Sequence, residues 1–373
     1  VGEPLNVGLV GAGNISSQYL RTLGAVSNLR IVAVCDADRQ RARDAAAMAP
    51  GSRSTTLDEL LAAGDVDVVL NLTPPAAHAE VALAAIAAGK HVYGEKPLAT
   101  STADAAAVVE AGKRAGLRVG GAPDTVLGTG IQTARKAVED GVIGRPTSAT
   151  AVMGVFGHET WHPNPEFYYL PGGGPLLDMG PYYLSALIHL LGPVKSVMGA
   201  GSRPRPLRTI ASGTRAGTTF TTSVDTHITG ILEHESGALT TLIMSFDVLA
   251  TQASSIEVHG TAGSLVVPDP NLFDGDCKVR NPGDSAWRVL APSAGFVGSS
   301  RGYGLAEMAE AIGEGRSHRA SAELAYHVLD CSHSLLEAAN KRTTLDVSSR
   351  CEVPPLVPLN DEAFGRASSR RLG

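Results

Sequence analysis

The chain contains no uninterrupted apolar run of about 18 residues, the length an apolar helix needs to cross a bilayer. Its first residues, Val1-Gly2-Glu3-Pro4, have no basic stretch leading into an apolar core, so no secretory signal is expected there. A basic stripe is also missing. With a net charge of −6, nucleic acid has no electrostatic reason to bind. Cysteine is scarce, four in 373 residues, and Cys35, Cys277, Cys331 and Cys351 are scattered without a C-x-x-C among them. A disulfide scaffold and a zinc ribbon are both disfavoured. These absences predict a cytoplasmic protein, with neither nucleic acid nor membrane as a partner.

What is present supports a large core. At 43% hydrophobic and 18% charged, the length suggests two or three domains. The first third alternates short apolar runs with alanine-rich, helix-length segments. Strands are expected at 5–10, 30–35, 66–72, 91–93 and 117–121, and helices at 15–26, 39–48, 77–88 and 102–115. Such alternation implies parallel pairing in a doubly wound α/β sheet, a Rossmann arrangement, over residues 1–125. From about Pro146 the rhythm becomes β-rich, with helices expected at 178–191, 305–313 and 320–340. Residues 126–373 therefore read as an α+β domain around an open, largely antiparallel sheet.

The segment "LNVGLVGAGNIS" sets Gly11 and Gly13 between a strand and a helix that opens at Asn14 and Ile15. Glycines at such a turn let backbone approach a pyrophosphate, whose charge then meets the helix N-terminus. Ser16 replaces the third glycine of the fingerprint but is small enough for close packing. "RIVAVCDAD" then ends a second strand with Asp36 about where a ribose-binding acid belongs, with helix N-capping as its alternative role. A carboxylate there repels a 2′-phosphate, so NAD is expected in preference to NADP; Arg39 and Arg41 belong to a solvated helix face.

Further on, "KHVYGEKPLAT" ends a strand in Glu95-Lys96-Pro97. Ligands of open α/β sheets bind beyond the carboxyl ends of strands, which aims Lys96 at the reacting end of the cofactor. Pro97 biases Lys96 toward extended backbone. An ammonium there can stabilise negative charge on a reacting oxygen.

The stretch "FGHETWHPNP" contains H-E-x-x-H at 158–162, the spacing of a zinc peptidase when it lies on a helix. Here a strand-like alternation precedes it and Pro163 and Pro165 break the backbone after it. No metal is expected. The segment reads instead as a loop leading to "GGGPLLDMGPYYLSALIHLLGP". It either packs over a sheet edge or lines a ligand pocket, to which Trp161 would offer a stacking ring and His162 an imidazole.

The Rossmann unit, the E-K-P turn and G-G-G-x-L-x-D-x-G together resemble the glucose–fructose oxidoreductase and inositol dehydrogenase (Gfo/Idh/MocA) family over nearly the whole chain. The resemblance implies hydride transfer between nicotinamide and a secondary hydroxyl or ketone of a sugar, inositol or sugar derivative. It makes Lys96 the catalytic lysine and Asp178 the acid facing substrate. Thr73, Pro74 and His78 in "NLTPPAAH" match the loop bordering the nicotinamide, and Glu95 belongs to the same cofactor-side motif. It also implies a homo-dimer or homo-tetramer formed through the C-terminal sheet. One departure stands out: where the family pattern places a proton-transferring histidine, this chain has Tyr182. Four residues from Asp178, it shares a helix face with that acid, and Pro181 is expected in the first turn. Tyr182 can relay a proton or only bind substrate. A rival from another class is a dinucleotide-sensing regulator without catalysis, since fold does not fix function.

Overall fold

A computed structural model describes residues 3–361 and 363–365. They form two compact units, each built from separated stretches of chain. One holds residues up to Thr129, Ala294–Tyr326 and those from Pro354 on; the other holds Gly130–Ser293 and His327–Val353. The contiguous division at 125/126 suggested by composition lies beside the first of these boundaries, but composition carries no sign of the three later crossings.

In the first unit β1 (Leu5–Val10), α1 (Ser16–Leu23), β2 (Leu29–Cys35) and α2 (Arg39–Ala47) come first. Then follow β3 (Arg53–Ser54), α3 (Leu57–Ala62), β4 (Val68–Asn71), α4 (His78–Ala87), β5 (His91–Gly94), α5 (Thr102–Ala115) and β6 (Val119–Gly121). The strands lie in the order β3-β2-β1-β4-β5-β6, all parallel. Strand order reverses between β1 and β4, which creates the crevice where such sheets bind ligands. The helices start where their caps dictate. The Asp38 carboxylate accepts from the Gln40 and Arg41 amides, and Thr56 with Glu59 forms a capping box. The T-x-x-E of α3 and the short β3 were not among the expected elements, because 53–62 is too brief for a periodic signal.

In the second unit, α6 (Thr129–Glu139) leads to β7 (Pro146–Gly154), α7 (Pro175–Leu191) and β8 (Val194–Ser202). After these come β9 (Leu207–Thr209), β10 (Thr219–Thr221), β11 (His227–His234), β12 (Leu239–Ser245), β13 (Ile256–Gly260), β14 (Gly263–Val267), β15 (Cys277–Arg280) and β16 (Arg288–Leu290). The chain then forms α8 (Tyr303–Glu314) in the first unit, α9 (Ala322–Lys341), and β17 (Leu345–Asp346). The large sheet runs β16-β15-β14-β13-β7-β12-β11-β8-β17 and is antiparallel except for β7 beside β12. Side chains alternate along its strands. Ile228, Leu232, Leu242 and Met244 are buried, while Met198, Ile231 and Leu239 face outward. Helix α7 packs on β7, β11 and β12.

Three sequence expectations change. Helix α7 begins at Pro175 rather than Asp178, because Pro175 occupies the first turn, where a missing N–H costs nothing. Pro181 consequently lies inside the helix and not in its first turn. The β-rich run 218–235, which its composition suggests as one strand, is divided: residues 222–226 separate β10 from β11, and β10 pairs only with β9 in a separate two-stranded sheet.

Candidate active site

Beyond the carboxyl ends of β1 and β2, Gly11 has φ +97°, and a Cβ there would come within 2.6 Å of the Leu72 carbonyl group. Glycine is required by the fold itself at that point. Gly13 differs, since a Cβ there would meet no protein atom within 4 Å. Ser16, in the third-glycine place, is buried and donates its hydroxyl to the Gly13 carbonyl at 2.6 Å. Asp36 accepts from the Ala12 amide at 2.7 Å, so the acid is tied to the glycine turn. Its second oxygen accepts from the Asp38 amide at 2.8 Å. Asp38 performs the helix capping, which leaves Asp36 at the turn.

Beyond β4 and β5 the two loops are stapled together. His78 is buried, with Nδ1 2.6 Å from the Pro97 carbonyl and Nε2 2.8 Å from the Thr73 carbonyl. Thr73 donates its hydroxyl to Asn71 at 2.6 Å, whereas Pro74 is exposed. His78 thus holds the loop carrying Thr73 and Pro74 against the E-K-P turn. Glu95 serves the same turn. It accepts from the Tyr19 hydroxyl at 2.7 Å and from the Lys96 amide at 3.1 Å. Tyr19 is fully buried, and burial followed by the Glu95 charge raises its phenol well above the usual value. Lys96 itself is half-buried at the end of β5. Behind this turn, Asp124 accepts from the Gly302 and Gly304 amides at 2.8 and 3.0 Å and so anchors the start of α8. Burial pushes the Asp124 carboxyl up to about 6.

In the second unit, His158, Glu159 and Thr160 form a single 3-10 turn, and the chain leaves it at Trp161. Nε2 of His158 lies 2.9 Å from Oδ2 of Asp178 on α7. The imidazole beside the acid is therefore that of His158, the first residue of the H-E-x-x-H spacing, and not that of His162. His162 accepts the Asn164 amide on Nδ1 at 3.0 Å and stacks edgewise with Trp161 and Phe167. Trp161 is 58% exposed. Tyr182 is buried one turn beyond Asp178 on α7. No sequence spacing signals the pairing of residues 158 and 178, because it arises from the return of a loop onto a helix.

Glu159 turns inward. It accepts the Tyr169 hydroxyl and the Arg208 guanidinium, the latter at 3.0 Å. Arg208, 2% exposed on β9, also reaches Asp247 at 2.7 Å, and Arg205 joins Asp247 at 2.9 Å. Thr226 completes Asp247 with a 2.6 Å hydrogen bond. The two ionisable ends of the H-E pair are thus committed, one to an acid and one to a buried ion network. Among the described residues no group of three or more His, Cys, Asp or Glu is placed to hold a metal ion.

Comparison with known proteins extends to both units. Residues 5–121 match an oxidoreductase family with an NAD-binding Rossmann fold, and residues 131–266 match the GFO/IDH/MocA C-terminal domain. The chain is 30% identical over 268 residues to 1,5-anhydro-D-fructose reductase of Ensifer adhaerens, covering 69% of this chain and 74% of that protein. Inositol 2-dehydrogenase 2 of Saccharopolyspora erythraea is 43% identical over 114 residues, 30% of this chain and 34% of its own. In fold, the chain is similar to the apo form of levoglucosan dehydrogenase, with a TM-score of 0.79 at 23% identity, covering 94% of this chain and 100% of that one. Matched in both halves, and to a relative over most of either length, the chain belongs to the Gfo/Idh/MocA family of oxidoreductases.

Proposed function

We propose that the protein moves a hydride between NAD and a secondary hydroxyl or ketone of a cyclic polyol, sugar or sugar derivative. The observation that carries this reading is Lys96, held in a braced E-K-P turn at the carboxyl end of β5, beside the Thr73 loop. The names of the similar proteins, a reductase of an anhydro-sugar and a dehydrogenase of inositol, support the same substrate class.

The residues fit a dinucleotide. Packing does not require glycine at 13, which leaves room for close approach by a ligand, and Gly11, Gly13, Asn14 and Ile15 would hold its pyrophosphate. Asp36 would take the ribose. Thr73 and Pro74 would border the nicotinamide, with His78 and Glu95 acting through the loops they brace. The bound nicotinamide supplies the hydride acceptor or donor. The Lys96 ammonium hydrogen-bonds the reacting oxygen and stabilises the charge that develops on it. Asp178 and Tyr182 orient the substrate, and its hydroxyl proton passes to the Asp178 carboxylate, directly or by way of the Tyr182 hydroxyl. Trp161 offers a ring to a sugar face, and His162 stands at its rim. Incubation with NAD and a panel of sugars and inositols, followed by the absorbance of reduced nicotinamide, tests the assignment. Turnover of none of them, in either direction, would defeat it.

Cofactor choice is a separate expectation. Because the Asp36 carboxylate repels a 2′-phosphate, NAD should bind more tightly than NADP, and Asp36→Ser should narrow or reverse the preference. Calorimetry on both forms checks this, and stronger NADP binding by the unmodified protein would refute it.

The outward face of the large sheet suits a homo-dimer or homo-tetramer, since Met198 and Ile231 pair across β8 and β11 with both side chains exposed. Light scattering should give a multiple of the chain mass, and Ile231→Glu should lower it. A monomer before substitution would remove the idea.

A further inference from the structure

The H-E-x-x-H segment forms only a single 3-10 turn, yet its first histidine sits on the acid beside which the family's histidine is missing. Within the function proposed above, we infer that His158 is a positioning residue: a neutral Nε2–H donor that fixes the Asp178 carboxylate from another loop.

Four observations carry this. The His158 Nε2 and Asp178 Oδ2 atoms are at full hydrogen-bond distance, 2.9 Å, with side chains only 12% and 18% exposed. The Nδ1 atom is buried without a hydrogen-bond partner. A neutral imidazole carries one N–H, and Nε2 is the nitrogen that faces an acceptor, so the proton belongs there. Aromatic rings enclose the imidazole, with Tyr168, Phe246 and Trp161 centred 4.2, 4.5 and 5.4 Å away. A second proton, on Nδ1, would have no acceptor in that box. The buried Nδ1 also cannot exchange a proton with solvent, so a relay through His158 has no exit.

The fourth observation concerns how the turn is held. The His158 amide donates to the Tyr169 phenol oxygen at 3.0 Å, and the Tyr169 hydroxyl donates in turn to Glu159. Glu159 is bound to Arg208, and its carbonyl accepts from the Ala211 amide at 2.8 Å. The peptide bearing His158 is therefore fixed on both sides before any substrate arrives. Such preorganisation makes the orientation of Asp178 a property of the resting protein.

Two substitutions separate donor from proton carrier. In His158→Gln, the side-chain amide nitrogen can occupy the place of Nε2 and still donate, although it cannot titrate as imidazole does. His158→Phe keeps the packing and loses the donor. With NAD and the best substrate of the sugar panel, His158→Phe should lower kcat by about 10²-fold, with NAD affinity unchanged. His158→Gln should recover most of that loss and keep the shape of the pH profile. If His158→Gln is as impaired as His158→Phe and loses one limb of the profile, the imidazole carries the proton and the inference falls. It falls equally if His158→Phe retains kcat within a factor of two.

A second measurement needs no turnover. Long-range proton–nitrogen NMR spectra of histidine-labelled protein should show His158, assigned by its loss in His158→Gln, as the Nε2–H tautomer across neutral pH. An Nδ1–H tautomer or an imidazolium would overturn the assignment. A protein inactive on every sugar would instead defeat the proposed function, leaving the tautomer to decide the role of His158.

Discussion

Lys96→Met should reduce turnover by about 10²-fold or more while NAD binding persists, the usual scale for losing a group that stabilises charge in the transition state. Methionine fills nearly the same volume, so the loss reports the ammonium and not a cavity. The bonds of the Glu95 carboxylate, the Lys96 amide and His78 that brace the turn do not involve the lysine side chain and should persist. Steady-state rates with a sugar that turns over, together with a direct cofactor titration, make the comparison. Turnover within a factor of two of the parent would remove Lys96 from the chemistry. Tyr182→Phe serves as the companion. A smaller loss there would place Tyr182 among substrate-binding groups, and one as large as that of Lys96→Met would make it part of the proton path.

The second large effect is on stability. Arg208→Met leaves Glu159 and Asp247 without the guanidinium that joins them, at 5% and 9% side-chain exposure. Breaking a buried ion pair from one side typically costs about 3–5 kcal/mol, since the stranded charge is still desolvated. Arg205 remains 2.9 Å from Asp247 and 3.8 Å from Glu159 and offsets part of this. The expected loss is therefore near the lower end, about 3 kcal/mol. Urea unfolding should show it as a lower midpoint, and adding Glu159→Gln should cost less than the two single changes combined. A midpoint unmoved by Arg208→Met would mean the network holds no stability. The loosened turn should also blunt catalysis, through the peptide that Glu159 shares with His158.

The contrast between Lys96 and Arg208 shows what the sequence could reveal. Lys96 follows an apolar strand and precedes a proline, so local pattern alone sets it at a strand end above a parallel sheet. Asp36 was equally legible, because its distance from the glycine turn is fixed by one helix and one strand. Arg208 lies in "PRPLRTIASGTRAG", where composition suggests a solvated loop. Its burial depends on two carboxylates 49 and 39 residues away, which no periodicity encodes. The same holds for His158. Its neighbour His162 looks equivalent in the string of letters, and only the single 3-10 turn decides which imidazole meets Asp178. Local physics gave the scaffold, and contacts between distant segments gave the details of the candidate site.

The interleaving of the two units bears on how the chain is made. The carboxyl-edge strand β6 is covered by a late segment: the Gly121 amide donates to the Ala320 carbonyl at 3.0 Å, and α8 packs on the same strand. A ribosome adding roughly 5–20 residues per second would deliver that cover about 10–40 seconds after β6 has been translated. Throughout that interval the nascent sheet presents an unpaired edge and the Asp124 carboxylate lacks the two amides that cap it. The period of greatest exposure to aggregation or chaperone capture thus falls during translation, before Ala320 has emerged to close the edge.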